Sequence, residues 1–189
     1  MRVRIPRRLR PLAASMAAGV LLVPATGAAA APTQGMYHTG DRTARHDVTF
    51  IAMLVPHHQT AVQMASIARD KATNPQVRRL AAHIVDEQSR QISQMRAWLR
   101  QHNAKPMPPP APIQEMERQD IHMLRAAQAD QVDQLFLMMM RPHHAQAVSE
   151  AEDELQHGRN DFAVSVARTI KTDQSQELAK MNDLLAALT

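Results

Sequence analysis

Apolar and polar residues alternate with the period of an α-helix along most of this 189-residue chain. One such segment spans residues 47–71, and a second begins at Pro75 and reaches about residue 102. The stripe predicted to face inward in the first segment consists of Phe50, Met53, Leu54, His57, Ala61, Met64, Ala65 and Ala68. The stripe of the second consists of Val77, Leu80, Ala81, Ile84, Gln88, Ile92, Met95 and Leu99. These spacings predict two amphipathic helices, joined as a hairpin by a turn at Asn74.

The same pattern returns after a proline-rich segment, residues 105–112. The predicted elements are a short connecting helix over 113–127, a third long helix from about Asp130 or Asp133 to Gly158, and a fourth over 161–188. Pro56 inside the first helix predicts a kink or a late start there. Neither hairpin can cover its apolar face alone, so the pattern predicts an all-α four-helix bundle. The connection is long enough either to cross the bundle or to turn back.

A doubled histidine marks an internal repeat. Residues 50–62 (FIAMLVPHHQTAV) return 86 positions later as residues 136–148 (FLMMMRPHHAQAV). The same offset pairs further residues without a gap: Asp47 with Asp133, Asn74 with Asn160, Gln88 with Gln174, and Met95 with Met181. The bundle therefore consists of two copies of one hairpin unit.

The start of the chain has the composition of a secretory signal peptide. Residues 1–30 contain five arginines, an apolar stretch over 12–23, and Ala28-Ala29-Ala30 before the predicted cleavage point. The apolar stretch is too short for a stable membrane span. Loss of five arginines takes the formal charge from +4 to about −1, so a nucleic-acid-binding face is not expected. We therefore expect an exported chain, periplasmic or secreted.

The predicted organisation after the signal peptide is a single domain. We expect a flexible segment over residues 31–43 and a bundle over 44–189, with repeat 1 at 47–103, the linker and short helix at 104–130, and repeat 2 at 131–188. The chain has no cysteine. It therefore has neither disulfides nor thiolate metal ligands.

Methionine and histidine at helical spacing are the candidate chemistry. In an antiparallel hairpin, residues equally far from the turn lie at the same height. This places Met53 near Met95 and His57 near Gln88, so we predict a Met–His–Met cluster. In the second hairpin the same construction groups Met139, His143, Met181 and Gln174.

Thioether and imidazole are ligands that suit Cu(I), and adjacent imidazoles suit Cu(II). The predicted copper ligands are Met53, His57, His58, Met64, Met95, Met139, His143, His144 and Met181. Gln88 and Gln174 interrupt apolar stripes, and we predict that they orient ligand imidazoles.

Other readings of these residues stay open. Methionine at helical spacing is commonly core packing, and His58 and His144 are either second ligands or packing residues. Met36 and His38 form a weaker, flexible pair, and His83 is predicted to face solvent or the rim. The sequence has one Glu-x-x-His, Glu154 to His157, of the kind found in di-iron bundles, without a partner in the first half.

The chain resembles the DUF305 family. The pattern of that family matches here at Asp47, Phe50, Met53, His57, His58, Ala61, Met64, Ala65, Gln88 and Met95. The second half matches at Asp133, Phe136, Met139, His143, His144, Ala147, Gln174 and Met181, but has Glu150 where the first half has Met64. The resemblance implies an exported, ferritin-like four-helix bundle and, for some members, copper binding.

The leading interpretation is an exported metal-binding protein, which sequesters or transfers copper and is not an enzyme. Its expected partner is a metal ion, and no protein partner is indicated. One alternative is a helical interaction or stress-related module in which methionine and histidine only pack. A ferritin-like metalloenzyme is a third, but its glutamate ligands are missing.

Overall fold

The computed structural model describes residues 39–188, with side chains from residue 44 onward. Its helices are α1 (Thr39–Lys71), α2 (Pro75–Gln101), α3 (Ala111–Ala126), α4 (Ala129–His157) and α5 (Asp161–Ala187), and the described residues contain no strand. The predicted all-α fold and its connecting helix are confirmed. The predicted signal peptide, Met36 and His38 lie outside the described residues.

The first helix starts earlier than its periodicity predicts. α1 begins at Thr39, inside the segment expected to be flexible, and continues through Pro56 to Lys71. The expected late start is therefore wrong. α4 likewise continues through Pro142. A proline removes one backbone donor from a helix, but the helix on both sides is held by its packing against the rest of the bundle.

The four long helices pair as the repeat predicts, α1 with α2 and α4 with α5, and α1 also packs against α4. Each hairpin turn ends in a capping asparagine. The Asn74 side chain accepts from the amides of residues 76 and 77, and Asn160 accepts from those of residues 162 and 163. These bonds satisfy amides that would otherwise be unpaired at a helix start. α3 lies against α1 and α4 as a fifth helix.

The apolar core is divided into two halves. The first core half contains the α1–α2 turn and is formed by Ala61, Met64, Ala65, Ala68, Ala72, Val77, Leu80, Ala81, Ile84, Leu124, Val132, Phe136, Leu137, Met140, Met181 and Leu184. The second core half contains the α4–α5 turn and is formed by Phe50, Ile51, Ala52, Leu54, Val55, Met95, Trp98, Leu99, Ala147, Ala151, Ala163, Ala167 and Ile170. Each long helix contributes to both halves.

The connection between the hairpins crosses the length of the bundle. α2 ends in the second core half at Leu99, whereas α4 begins in the first at Val132. The amide of Met107 donates to the carbonyl of Ala52 at 2.8 Å, and Leu124 of α3 reaches the first core half. The topology that the linker length left open is therefore a crossover.

Two aspartates join the hairpins by hydrogen bonds. Asp133 on α4 accepts hydrogen bonds from the amides of Thr73 and Asn74 in the opposite hairpin. Asp47 on α1 accepts from the amides of residues 159 and 160 at 2.9 and 3.0 Å. The repeat preserves both aspartates because each satisfies the turn of the other copy. Within residues 39–188, no helix is long and apolar enough to cross a membrane.

Candidate metal centre

A polar layer separates the two core halves at mid-height. On every long helix, buried or half-buried polar residues lie between the residues of the two apolar clusters. We call this set the histidine layer, and it consists of His57, His58, Gln88, Gln91, His143, His144, Gln174 and Glu177. All are buried except His143, which is half-buried. Burial of so many polar groups is unfavourable unless they are paired or hold a ligand.

His57 and His143 face each other across the two hairpins. Their ring centroids are 3.7 Å apart, with the planes tilted by 32°. The two residues are equivalent in the repeat, so the pair sits where the two copies meet. Both ring nitrogens of each residue are buried and have no hydrogen-bond partner in the part of the chain that the structure describes. Four buried ring nitrogens thus lie close together without a well-formed hydrogen bond in the described chain, and each ring has at most a weak contact with the backbone of the opposite histidine.

These histidines are held in the neutral form. Burial, followed by the nearby His58 and His144, lowers the pKa of His57 from 6.5 to about 3. Burial and the surrounding histidines also lower the pKa of His143 well below its usual value. Neutral imidazole is the form that binds metal, since a protonated ring has no free lone pair.

His58 is oriented by a glutamine that the sequence analysis did not single out. Its Nε2 lies 2.8 Å from Oε1 of Gln91, and the amide nitrogen of Gln91 donates to Glu87. Because an amide oxygen only accepts, Nε2 of His58 carries the proton, and its Nδ1 keeps a lone pair without a partner in the described chain. Burial lowers the pKa of His58 to about 4.

The second repeat makes the same contact with a different partner. Nε2 of His144 lies 2.8 Å from Oε2 of Glu177, and Nδ1 is again unpaired among the described residues. Gln91 and Glu177 are equivalent at the offset of 86, as His58 and His144 are. The shared position of these residues in the repeat could have identified Gln91 and Glu177 from the sequence. They were missed because hydrophobic periodicity selects the apolar face, and Gln91 lies beside the stripe residue Ile92.

The glutamines predicted to orient the imidazoles do not do so in this structure. Gln88 and Gln174 are buried as predicted. Within residues 44–188, both amide atoms of Gln88 lack a hydrogen-bond partner, and so does Oε1 of Gln174. The orienting contacts come instead from Gln91 and Glu177, one turn further along each helix. The two amides add unpaired groups to the histidine layer.

The predicted methionine ligands occupy different environments. Met53 was placed in the inward stripe of α1, but it is 38% exposed, so that placement is wrong. Met64 and Met95 are fully buried, in the first and second core halves respectively. Met181 is fully buried in the first core half, and Met139 packs half-buried against it. His83 is exposed at the rim, as predicted, 3.7 Å from Glu177.

A cavity leads from the surface towards His57. It has a volume of about 370 Å³ and is lined by residues of α1, the linker, α3 and α4, including Met53, His57, Pro109 and Glu150. Met53 is exposed where α1 borders this cavity. Glu150, the residue that replaces a methionine in the second repeat, lies in the same wall, and burial raises its pKa.

The fold and this layer define a class of protein: a bundle of two repeated hairpins around four histidines, of which His57 and His143 have no hydrogen-bond partner for either ring nitrogen in the described chain. Such a donor set fits a metal ion that accepts imidazole nitrogen. Within the described residues, the layer has a single carboxylate, that of Glu177. It therefore lacks the four-glutamate arrangement of di-iron bundles.

The chain belongs to the DUF305 family, described as a domain of unknown function, whose model matches residues 47–185. Among solved structures, a DUF305 fragment from Deinococcus radiodurans is 25% identical, with a TM-score of 0.69, over 75% of this chain and 96% of that one. A DUF305 protein from Streptomyces coelicolor, described as secreted, is 28% identical, with a TM-score of 0.68, over 76% and 93% of the two chains.

CopM in its Cu(I)-bound form is 30% identical to this chain, with a TM-score of 0.65 and coverage of 75% of this chain and 96% of that one. Structures of CopM with Cu(II) and with silver are also similar. No match was found among curated proteins.

Proposed function

We propose that this chain is an exported copper-binding protein that holds the ion in the histidine layer and sequesters or transfers it. One observation carries the proposal: the four ring nitrogens of His57 and His143 are buried together without hydrogen-bond partners among the described residues. An arrangement of that kind is unfavourable in the metal-free state. Binding a metal ion would satisfy it.

The tautomers of the flanking histidines support the same use. The contacts of His58 with Gln91 and of His144 with Glu177 hold the proton on Nε2 and leave Nδ1 free to bind. Metal-binding histidines usually donate their other ring nitrogen in this way, which orients the ring. Gln91 and Glu177 would therefore position the ligands rather than bind the metal.

The methionines supply the preference for a soft ion. Met95 lies one helical turn after Gln91, and Met181 lies one turn after Glu177, so each thioether is on the face that holds the neighbouring histidine. Met53 lines the same cavity as His57. We keep Met64 and Met139 as candidate ligands from the sequence. Thioether together with imidazole favours Cu(I), and the imidazoles alone can hold Cu(II).

Similarity to CopM, which has been solved with Cu(I), Cu(II) and silver bound, supports copper as the metal. Export is supported by the composition of residues 1–30 and by similarity to a DUF305 protein described as secreted.

The alternative that histidine and methionine only pack the core is disfavoured by the same nitrogens. A packing histidine in a core normally has a hydrogen bond for its N–H group, which His57 and His143 lack in the described chain. The metalloenzyme alternative is disfavoured because Gln91 stands where a symmetric carboxylate pair would need a glutamate.

Copper titration of three chains tests the proposal. The double variant His57→Ala/His143→Ala should bind Cu(I), in competition with a chromophoric chelator, at least about 100-fold more weakly than the wild type, because ligands and their supports are worth tens to hundreds of fold in affinity. The control His122→Ala, an exposed residue of α3, should bind as the wild type does.

Because the proposed ligands lie in the histidine layer, removal of residues 31–40, which include Met36 and His38, should also change affinity little. Replacing the same two histidines should also abolish Cu(II) binding, which the nitrogen couplings in the electron paramagnetic resonance spectrum of the ion report. Unchanged copper affinity in a folded double histidine variant would end the proposal.

A further inference from the structure

A second group of potential metal ligands lies outside the histidine layer, near the α4–α5 turn. His46 of α1 meets Asp153 and His157 of α4, and one ligand atom from each lies within 4.8 Å of the other two. His157 Nδ1 is 2.9 Å from Asp153 Oδ1, and His46 Nε2 is 3.7 Å from Asp153 Oδ2. His157 is the last residue of the Glu-x-x-His segment that the proposed copper site does not use.

The buried carboxylate of Glu154 also contacts this group. The side chain of Glu154 is fully buried, and one of its oxygens lies 3.0 Å from His46 Nε2. Neither oxygen has a well-formed hydrogen bond to the residues that the structure describes. Burial and the carboxylates of Asp47 and Asp153 raise the pKa of Glu154 to about 8. Nearby negative charge and missing donors are both conditions that a bound cation would relieve.

Apolar residues occupy the equivalent positions at the opposite end of the bundle. The repeat provides a comparison, because the opposite end of the bundle has the same backbone arrangement. At the offset of 86, Glu154 corresponds to Ala68, His46 to Val132, and Asp153 to Ile67. Ala68 and Val132 are fully buried in the first core half, and Ile67 packs against it. One end of the bundle is thus closed by apolar contacts, whereas the other places a carboxylate and a histidine there.

A glycine makes room for the buried carboxylate. A Cβ atom at Gly158 would overlap both the carboxylate and the backbone carbonyl oxygen of Glu154. The equivalent residue at the other end is Ala72, which faces the small Ala68. Gly158 has a φ of −64°, so its backbone does not require glycine and the space it leaves is its contribution. Glu154 and Gly158 therefore both depart from the repeat, and both departures concern the same buried carboxylate.

We propose that His46, Asp153, Glu154 and His157 form a second cation site, which binds a divalent ion of the Zn²⁺ class. Two imidazoles with carboxylate oxygens are a zinc-type donor set, and no thioether is needed. Zinc bonds of about 2.0–2.2 Å place neighbouring ligand atoms about 3.4 Å apart. One ligand atom from each of His46, Asp153 and His157 lies within 4.8 Å of the other two, so these three have to close by at most about 1.4 Å. Asp153 and His157 can move, because 60% of each side chain is exposed.

The site shares no ligand with the proposed copper site. It lies at the α4–α5 end of the bundle, beside a surface cavity of about 490 Å³ lined in part by His46 and Asp153. Met53 and Glu150 line both this cavity and the one beside His57. Loss of one site should therefore leave the other intact, and the two proposals fail separately.

Zn²⁺ binding to the metal-stripped full chain tests this assignment. In a His57→Ala/His143→Ala background, calorimetry should still find one Zn²⁺ site, and Co²⁺ used as a probe should give visible absorption of low-symmetry, nitrogen-containing coordination. Adding His46→Ala and His157→Ala should weaken Zn²⁺ binding about tenfold or more and remove that absorption. The matched control adds His122→Ala instead and should change neither.

A conservative change separates binding from folding. Glu154→Gln keeps the shape of the side chain and removes its negative charge, so it should weaken Zn²⁺ binding while circular dichroism and the unfolding midpoint stay close to those of the parent. In the wild-type background, His46→Ala/His157→Ala should lower the Zn²⁺ stoichiometry by one and leave Cu(I) affinity unchanged. Zn²⁺ affinity within twofold of the parent in the folded His46→Ala/His157→Ala chain would overturn the proposal.

Discussion

Replacing His57 and His143 together by leucine should stabilise the metal-free protein while removing its proposed copper ligands. Each neutral imidazole has one N–H group and one lone pair, and neither nitrogen of either ring is paired in the described chain. A buried polar group without a partner costs about 1–3 kcal/mol. Leucine has a similar volume and no such group, but an imperfect fit costs about 1 kcal/mol per site. The two changes should therefore raise the free energy of unfolding by about 2 kcal/mol.

Urea unfolding of the chelator-treated protein, followed by circular dichroism, measures this difference. For a domain of this size about 2 kcal/mol corresponds to a rise in Tm of about 4–8 °C. His122→Leu on the exposed face of α3 is the matched control and should change stability by less than about 0.5 kcal/mol. A double variant that is less stable than the wild type by 1 kcal/mol or more would refute the reasoning, because it would mean that the native rings form favourable hydrogen bonds.

The free energy of unfolding should also depend differently on pH in the wild type and in the double leucine variant. In the unfolded chain these histidines take up a proton near pH 6.5, whereas in the folded chain the pKa of His57 is about 3 and that of His143 is also lowered. The unfolded state therefore binds more protons as the pH falls below 6.5, and stability decreases by about 1.4 kcal/mol per pH unit for each such group. The leucine variant should lose the contribution of two groups from this slope. Equal slopes for the two proteins between about pH 6 and pH 4.5 would contradict the neutral, buried state of the pair.

Three further changes address the remaining contacts. Asp133→Ala removes the acceptor for two amides of the opposite turn and should lower the free energy of unfolding by about 2–4 kcal/mol, as urea titration would reveal; a loss under about 0.5 kcal/mol would dismiss the interlocking role. Gly158→Ala should destabilise the chain by about 1–3 kcal/mol through overlap with the side chain and the backbone carbonyl of Glu154. Adding Glu154→Ala should recover the side-chain part of that loss, which a double-mutant cycle measures, and additive effects would argue against the side-chain overlap. Met95→Leu should weaken Cu(I) binding more than Cu(II) binding in chelator competition, with little loss of stability. If the variant and the wild type bind Cu(I) with equal affinity, Met95 is not a ligand.

Much of the fold was predictable because it depends on short-range order. The three-and-four spacing of apolar residues predicted the helices, and the 86-residue offset predicted two equivalent hairpins. Pairing within a hairpin follows from the turn alone, since Asn74 and Asn160 set where each pair of helices reverses. The buried positions of His57, Gln88 and Met95 were likewise readable from their place in an apolar stripe.

The contacts between the hairpins were not readable in this way. Nothing local indicates that His57 meets His143, because that contact depends on how α1 packs against α4, and two copies of a hairpin can associate in more than one orientation. Likewise, the linker length was compatible with either a crossover or a return. Met53 has the right period for the core, yet it borders a surface cavity whose walls also include the linker, α3 and α4.

The partners of the histidines were hidden for a related reason. Gln91 and Glu177 lie at the edge of the apolar stripe, where periodicity does not distinguish a buried polar residue from a solvated one. Only the packed bundle brings them to 2.8 Å from His58 and His144. The sequence by itself determined the helices, their pairing within each repeat, and the kinds of ligand present. The tertiary structure decided which ligands meet, because pairing of polar groups across a core depends on three-dimensional packing that one-dimensional spacing does not contain.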